Sequence, residues 1–122
     1  MSKNPRFSLY LAGPARRDIA AIDRYTLRTF GEAAADRYDI LIRQALRDIQ
    51  EDPDRPGARA RPGALNPTFR LYHLSSSRDR VSGQPVKEPR HFIVYRQRPD
   101  DVIEVLRVLH DSRDLARHLP DA

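Results

Sequence analysis

At 122 residues the chain fits one folded domain, residues 1–122, with room for a modest core and little room for two domains. A charged fraction of 32% beside 39% apolar residues speaks against a disordered polymer, and no apolar run approaches the ~18 residues of a membrane-spanning helix. Cysteine is absent, which excludes disulfides and thiolate metal sites, while the formal charge of +5 suits an acidic partner, either nucleic acid or an acidic protein segment. The first residues, MSKNPRFSLYLAG, lack the apolar stretch of a secretory signal, so a cytoplasmic location is the default expectation.

Phe7–Leu11 alternates weakly and carries β-favouring residues, so the pattern predicts a short strand. Gly13-Pro14 breaks it, and Pro14 suits the first turn of a helix. Ile19, Ile22, Tyr25 and Phe30 form one apolar stripe, and Gly31 has the chemistry of a helix stop. A second helix carries the clearest signal in the chain. Tyr38, Leu41, Ile42, Ala45, Leu46 and Ile49 recur at helical spacing, while Arg37, Arg43, Gln44, Arg47 and Asp48 define a polar face. Asp52-Pro53 ends it. The two helices predict a helical hairpin over residues 14–51 with one apolar side.

Residues 52–67 are too rich in proline and glycine for a regular element and predict a loop. Phe69–Leu74 reads as a strand. Ser75–Pro89 reads as a second polar loop, long enough to suggest an insertion. Two strong strands follow, His91–Arg96 and Val102–Leu109, joined by the compact turn Arg98-Pro99-Asp100-Asp101. Both are apolar at most positions, which predicts a sheet covered on both faces. The hairpin covers one face. For the other, only Leu115–Leu119, read as a short C-terminal helix capped by Asp114, remains in the chain, so a protein partner is expected there.

The element order strand, helix, helix, three strands and tail resembles that of the RelE/ParE toxins. Tyr25, Phe30-Gly31 and Ala35 match the family's helical-hairpin pattern. The end of the chain is more specific: Phe92-Ile93-Val94-Tyr95-Arg96, then Asp100-Asp101, then Val105 through Asp114 (VLRVLHDSRD), resembles the signature of ParE-like, plasmid-stabilisation-type toxins. The resemblance spans residues 7–119, and Ser75–Pro89 is longer than in shorter family members. It implies an α+β fold: an N-terminal strand, an α-helical hairpin, then an antiparallel sheet of about four strands with a short C-terminal helix. It also implies a toxin of a type II toxin–antitoxin system, held in a hetero-oligomer by a ParD-like antitoxin. For the ParE branch the implied target is DNA gyrase, poisoned without chemistry by the toxin itself. The RelE branch implies instead an endoribonuclease that cuts mRNA on the ribosome. A non-toxic relic that only pairs with its antitoxin is the third alternative.

Cleaving RNA needs a general base, a general acid and cations beside the phosphate. Arg70, Arg96, Arg107, His110, Arg113 and His118 are the candidates. Cations are plentiful, but no convincing acid–base pair stands out, so no catalytic residue is assigned. His118, with Arg107 and Arg96, would serve under the ribonuclease alternative. Arg70, Tyr95, Arg96, Arg107, His110 and Arg113 are the expected contacts for target or antitoxin. Arg96 and Arg107 lie on neighbouring strands and could share a face. A charge at Arg107, inside an apolar strand, requires an ion-pair partner or an open groove. Glu104 and Asp114 are the carboxylates considered for it, although Glu104 projects to the opposite face. The four histidines lack metal-ligand spacing, and no phosphate loop, dinucleotide fingerprint or nucleophile elbow occurs, so neither metal nor cofactor is expected.

Overall fold

The computed structural model describes residues 6–60 and 69–112. Strand β1 (Ser8–Leu11) leads into helices α1 (Gly13–Phe30) and α2 (Glu32–Glu51). Strands β2 (Arg59–Ala60), β3 (Phe69–His73), β4 (His91–Gln97) and β5 (Val102–His110) follow, with a 3-10 helix at Leu74–Arg80 between β3 and β4. The five strands form one sheet in the order β1-β5-β4-β3-β2. Every neighbouring pair is antiparallel except β1 and β5, which run parallel. The α+β expectation holds, with one strand more than anticipated, because the two-residue β2 hides inside the proline-rich loop. The short C-terminal helix expected at Leu115–Leu119 lies outside the described residues.

The hairpin forms as its sequence requires. Pro14 occupies the first helical turn, where its missing N–H is not needed. Gly31 then ends α1 and starts α2 at φ +94°, a backbone region that favours glycine. On α2, Leu41, Ile42, Ala45, Leu46 and Ile49 are buried and Arg43 and Arg47 exposed, as the stripe predicts. They pack on Tyr72, Ile93, Tyr95, Ile103, Val105 and Val108 of the sheet. Fully burying an aliphatic or Phe side chain contributes about 1.5–3 kcal/mol, and this cluster is the principal core.

The α1 stripe departs from expectation in its second half. Ile19 and Ile22 pack against the core. One turn further on it is Thr26 that turns inward, its hydroxyl donating to the Ile22 carbonyl at 2.7 Å, while Tyr25 and Phe30 stay exposed.

The apolar character of both strand faces has a local cause. The β4–β5 ladder slips between Val94 and Tyr95: Tyr95 opposes Val105, whereas Val94 opposes Arg107. The extra residue on β5 is a β-bulge, which resets the alternation of side chains. Val105 and Val108 therefore both face the helices, while Leu106 and Leu109 join Leu71, Phe92 and Val94 in a second cluster. In that cluster Leu71, Val94 and Leu109 are already buried within the chain. The expectation that only a partner could cover this face is corrected accordingly; Phe92 and Leu106 alone remain half-buried there.

The second polar loop is also more ordered than its composition suggests. Its first part is the 3-10 helix, fastened by Asp48, a residue read from the pattern as part of the polar face of α2 but in fact fully buried. The Asp48 carboxylate accepts from Gln44 Nε2 at 2.9 Å, Ser77 Oγ at 2.6 Å and Arg80 Nε at 3.0 Å. Ser77 Oγ in turn meets the Tyr72 hydroxyl at 2.7 Å. A buried carboxylate is tolerated only when its oxygens are satisfied in this way.

Candidate functional site

The arginines singled out from the sequence do not converge. Arg70 pairs with Asp54 in the loop after α2. Arg96 donates through Nε to Glu104 on β5 at 2.9 Å. Arg107 reaches α1, where Asp18 accepts from its Nε and Nη2 at 2.7 and 3.0 Å and also from the Val108 backbone N–H at 2.9 Å. That hydrogen bond to Asp18 raises the Arg107 pKa further above its ordinary value. Arg107 thus finds its carboxylate on α1 and not at Glu104, which is taken by Arg96. The bulge sets Arg107 opposite Val94, two residues from Arg96 along β4, but the two arginines are drawn to different carboxylates.

Tyr95, expected among the contact residues, is fully buried on the helix side, and its hydroxyl donates to the Pro53 carbonyl at 2.6 Å. Burial pushes that phenol's pKa upward. Tyr95 is therefore a core residue that no partner of the folded chain can reach. Arg113 and His118 lie outside the described residues. His110 is half-exposed at the end of β5 and belongs to a cluster that the sequence reading missed.

That cluster joins Tyr38 of α2, His73 of β3, His91 of β4, and His110 and Asp111 at the end of β5. The Tyr38 hydroxyl oxygen accepts the Arg90 backbone N–H at 3.0 Å, so its own proton is free to donate to His91 Nδ1 at 2.6 Å. With Tyr38 as the donor, His91 is a neutral imidazole that carries its proton on Nε2. Burial, reinforced by the neighbouring His110, pulls the His91 pKa down to about 4. Burial also raises Tyr38 above its ordinary value, against the opposing effect of the Arg90 N–H. The His91 and His110 rings meet edge to face at 5.2 Å.

His73 follows the same logic. Its Nδ1 accepts the Ser75 N–H at 3.1 Å, which leaves Nε2–H to donate to Asp111 at 3.1 Å. Asp111 also takes a two-pronged contact from Arg90, at 3.1 Å from Nε and 2.9 Å from Nη2. The Arg90 hydrogen bond holds the Asp111 carboxyl below its ordinary pKa. His110 Nδ1 accepts the Ser112 N–H at 3.1 Å. Each of these imidazoles thus spends Nδ1 on a donor of the protein itself. No group of three or more His, Cys, Asp or Glu side chains among the described residues is placed to hold a metal ion.

A signal for part of this cluster existed in the sequence. His91 and His110 stand at opposite ends of one β-hairpin. Counting outward from the Gln97–Ile103 pair sets His91 against Leu109; the bulge moves it to His110. Tyr38 gave no such signal, because at helical spacing it reads as one more apolar-stripe residue.

Beside the cluster opens a cleft of about 690 Å³. Tyr25, Phe30 and Arg37 of the hairpin, Val86 and Lys87 of the segment before β4, and His91 and His110 are among the residues that line it. A smaller hollow of about 180 Å³, bordered by Asp18 and Arg107, shares both histidines with it.

Comparison with known proteins decides the family. A model of the ParE toxin of type II toxin–antitoxin systems matches residues 9–115. The chain belongs to the ParE toxin family. Among solved structures it is similar to a chain described as the chromosomal ParDE toxin–antitoxin system from P. aeruginosa, with 16% identity and a TM-score of 0.64. That likeness covers 88% of this ParE-family chain and 98% of the other, and it establishes a shared fold. No curated protein matched the chain. No helix among the described residues is long and apolar enough to cross a membrane.

Proposed function

We propose that the chain is a ParE-type toxin that inhibits DNA gyrase by binding it, performs no chemistry of its own, and is neutralised in the cytoplasm by a ParD-like antitoxin. The family membership over residues 9–115 carries this reading. The disposition of the cations supports it. Stabilising a phosphorane calls for converging, preorganised donors, whereas Arg70, Arg96 and Arg107 are each engaged by a different carboxylate. Charge and shape at the surface then govern binding, with His110, Arg113 and the half-exposed arginines as its contacts.

One observation favours a second reading, an endoribonuclease of the RelE type. Tyr38, His91 and His110 form a compact set of groups able to carry protons, with Asp111 and His73 behind them. Expression of the chain without antitoxin separates the readings. Gyrase poisoning predicts DNA breaks, induction of the DNA-damage response and intact mRNA, and His118→Ala should leave killing nearly unchanged. The ribonuclease reading predicts discrete cuts in translated mRNA and unimpaired supercoiling, with loss of killing in His110→Ala or His118→Ala, since removing a general acid or base in use costs a factor of about 10²–10⁴. Unimpaired growth would mark a relic that only pairs with its antitoxin.

A further inference from the structure

The cleft of about 690 Å³ lies within the ~300–1,000 Å³ usual for small-ligand sites. Two aromatic rings of its lining are open. Tyr25 and Phe30 are 58% and 67% exposed and meet edge to face, their centroids 6.3 Å apart. An edge-to-face pair leaves ring faces free for a third flat group. The segment before β4 is already tied down where it lines the cleft. Arg78 Nη1 donates to the Lys87 carbonyl at 2.9 Å, and the Tyr38 hydroxyl accepts the Arg90 N–H at 3.0 Å. A site built in advance binds with little ordering cost.

The charged groups of the lining are unbalanced. Arg37 is half-buried and Lys87 exposed, and neither has a carboxylate partner among the described residues. Arg90 lines the cleft as well, but Asp111 engages it. His91 Nδ1 accepts from Tyr38, which leaves Nε2 without a partner among the described residues. Glu88 is the one acidic residue of the lining. Open ring faces beside two unpaired cations suit a ligand that is flat and aromatic at one end and anionic at the other. A phosphate monoester carries a charge of about −1.5 to −2 and accepts hydrogen bonds from arginine and lysine. A nucleobase stacks on an exposed aromatic ring whatever its sequence identity. Its amino groups can donate to Glu88, which gives the single acid a role. A longer strand would ask for a longer track of free cations.

We propose that the cleft binds a free nucleoside monophosphate, its base stacked on Phe30 and its phosphate held by Arg37 and Lys87. The site does not depend on which target the toxin acts on, and it gives the chain a small-molecule ligand of its own.

The test titrates the purified full-length chain calorimetrically at low salt with each of the four ribonucleoside monophosphates. The nucleoside alone and inorganic phosphate alone should each bind at least tenfold more weakly than the tightest nucleotide. Phe30→Ala should weaken that nucleotide on the order of tenfold or more, the usual loss when a stacking ring is truncated. Arg37→Gln/Lys87→Gln should do the same, while Arg43→Gln, outside the cleft, should match the parent. Binding by none of the four nucleotides up to millimolar concentration overturns the site. So does an affinity that neither cleft variant changes, or one that inorganic phosphate matches. A short single strand that binds where no mononucleotide does overturns it in favour of nucleic acid. Should a variant unfold, the unsubstituted chain decides the matter: magnetisation transfer between the base protons of the bound nucleotide and the Phe30 ring supports the site, and its absence in a saturated sample overturns it.

Discussion

The two ends of α2 carry polar side chains under opposite conditions. Near the C-terminal end, Asp48 is enclosed and both its oxygens are engaged by Gln44, Ser77 and Arg80. Near the N-terminal end, Tyr38 lines an open cleft together with His91, Arg37 and Lys87. One helix thus supports a closed network that holds the fold together and an open one that borders a cleft. Satisfaction of hydrogen bonds, more than residue type, separates the two.

The largest effect is expected at the closed end. Asp48→Ala should destabilise the chain by about 3–5 kcal/mol, because it strips a buried network of its acceptor. Urea unfolding monitored by circular dichroism measures this; a loss below about 1 kcal/mol would mean the network is ornamental. On the adjacent apolar stripe, Leu46→Ala should cost about 2–4 kcal/mol in the same assay, as for other buried leucines.

At the open end the expected effect is smaller and depends on pH. Native His91 resists protonation down to about pH 4, whereas the unfolded residue takes its proton near 6.5. Between those values the unfolded chain binds more protons, so this contribution is complete above pH 6.5 and is lost as pH falls toward 4. Allowing for solvent screening at a partly exposed site, the loss should be about 1–2 kcal/mol. Asp111, whose carboxyl is held below its ordinary 3.8, acts in the same direction at still lower pH. Melting curves of the parent and His91→Gln from pH 4 to 8 sharpen the contrast: the variant should lose most of the slope between pH 4 and 6.5, and an unchanged slope would place its origin elsewhere. Smallest of all, Arg43→Ala removes an exposed pair with Asp39 and should change stability by less than about 0.5 kcal/mol.

Helices and the longer strands were legible because both depend on local periodicity. The α2 stripe from Leu41 to Ile49 matches its buried face, and Gly31 marks the hairpin where the pattern stops. What escaped the sequence depends on contacts between distant residues. Asp48 looks like a surface residue until the 3-10 helix brings Ser77 and Arg80 over it. Arg107 finds Asp18, and Tyr38 finds His91, across separations of 89 and 53 residues that no local pattern encodes. The bulge at Val94 and Tyr95 matters most, since one extra residue on β5 set Arg107 opposite Val94 and brought His91 opposite His110.

The proposed mechanism has this ParE-family chain act by binding its target and not by cutting RNA. The most direct test is a gyrase supercoiling assay on the purified chain, with translated mRNA incubated in parallel and its 5′ ends mapped. Binding of gyrase predicts that supercoiling falls and cleaved DNA accumulates as the chain is added, while the mRNA stays intact. Cut mRNA together with unimpaired supercoiling would contradict it.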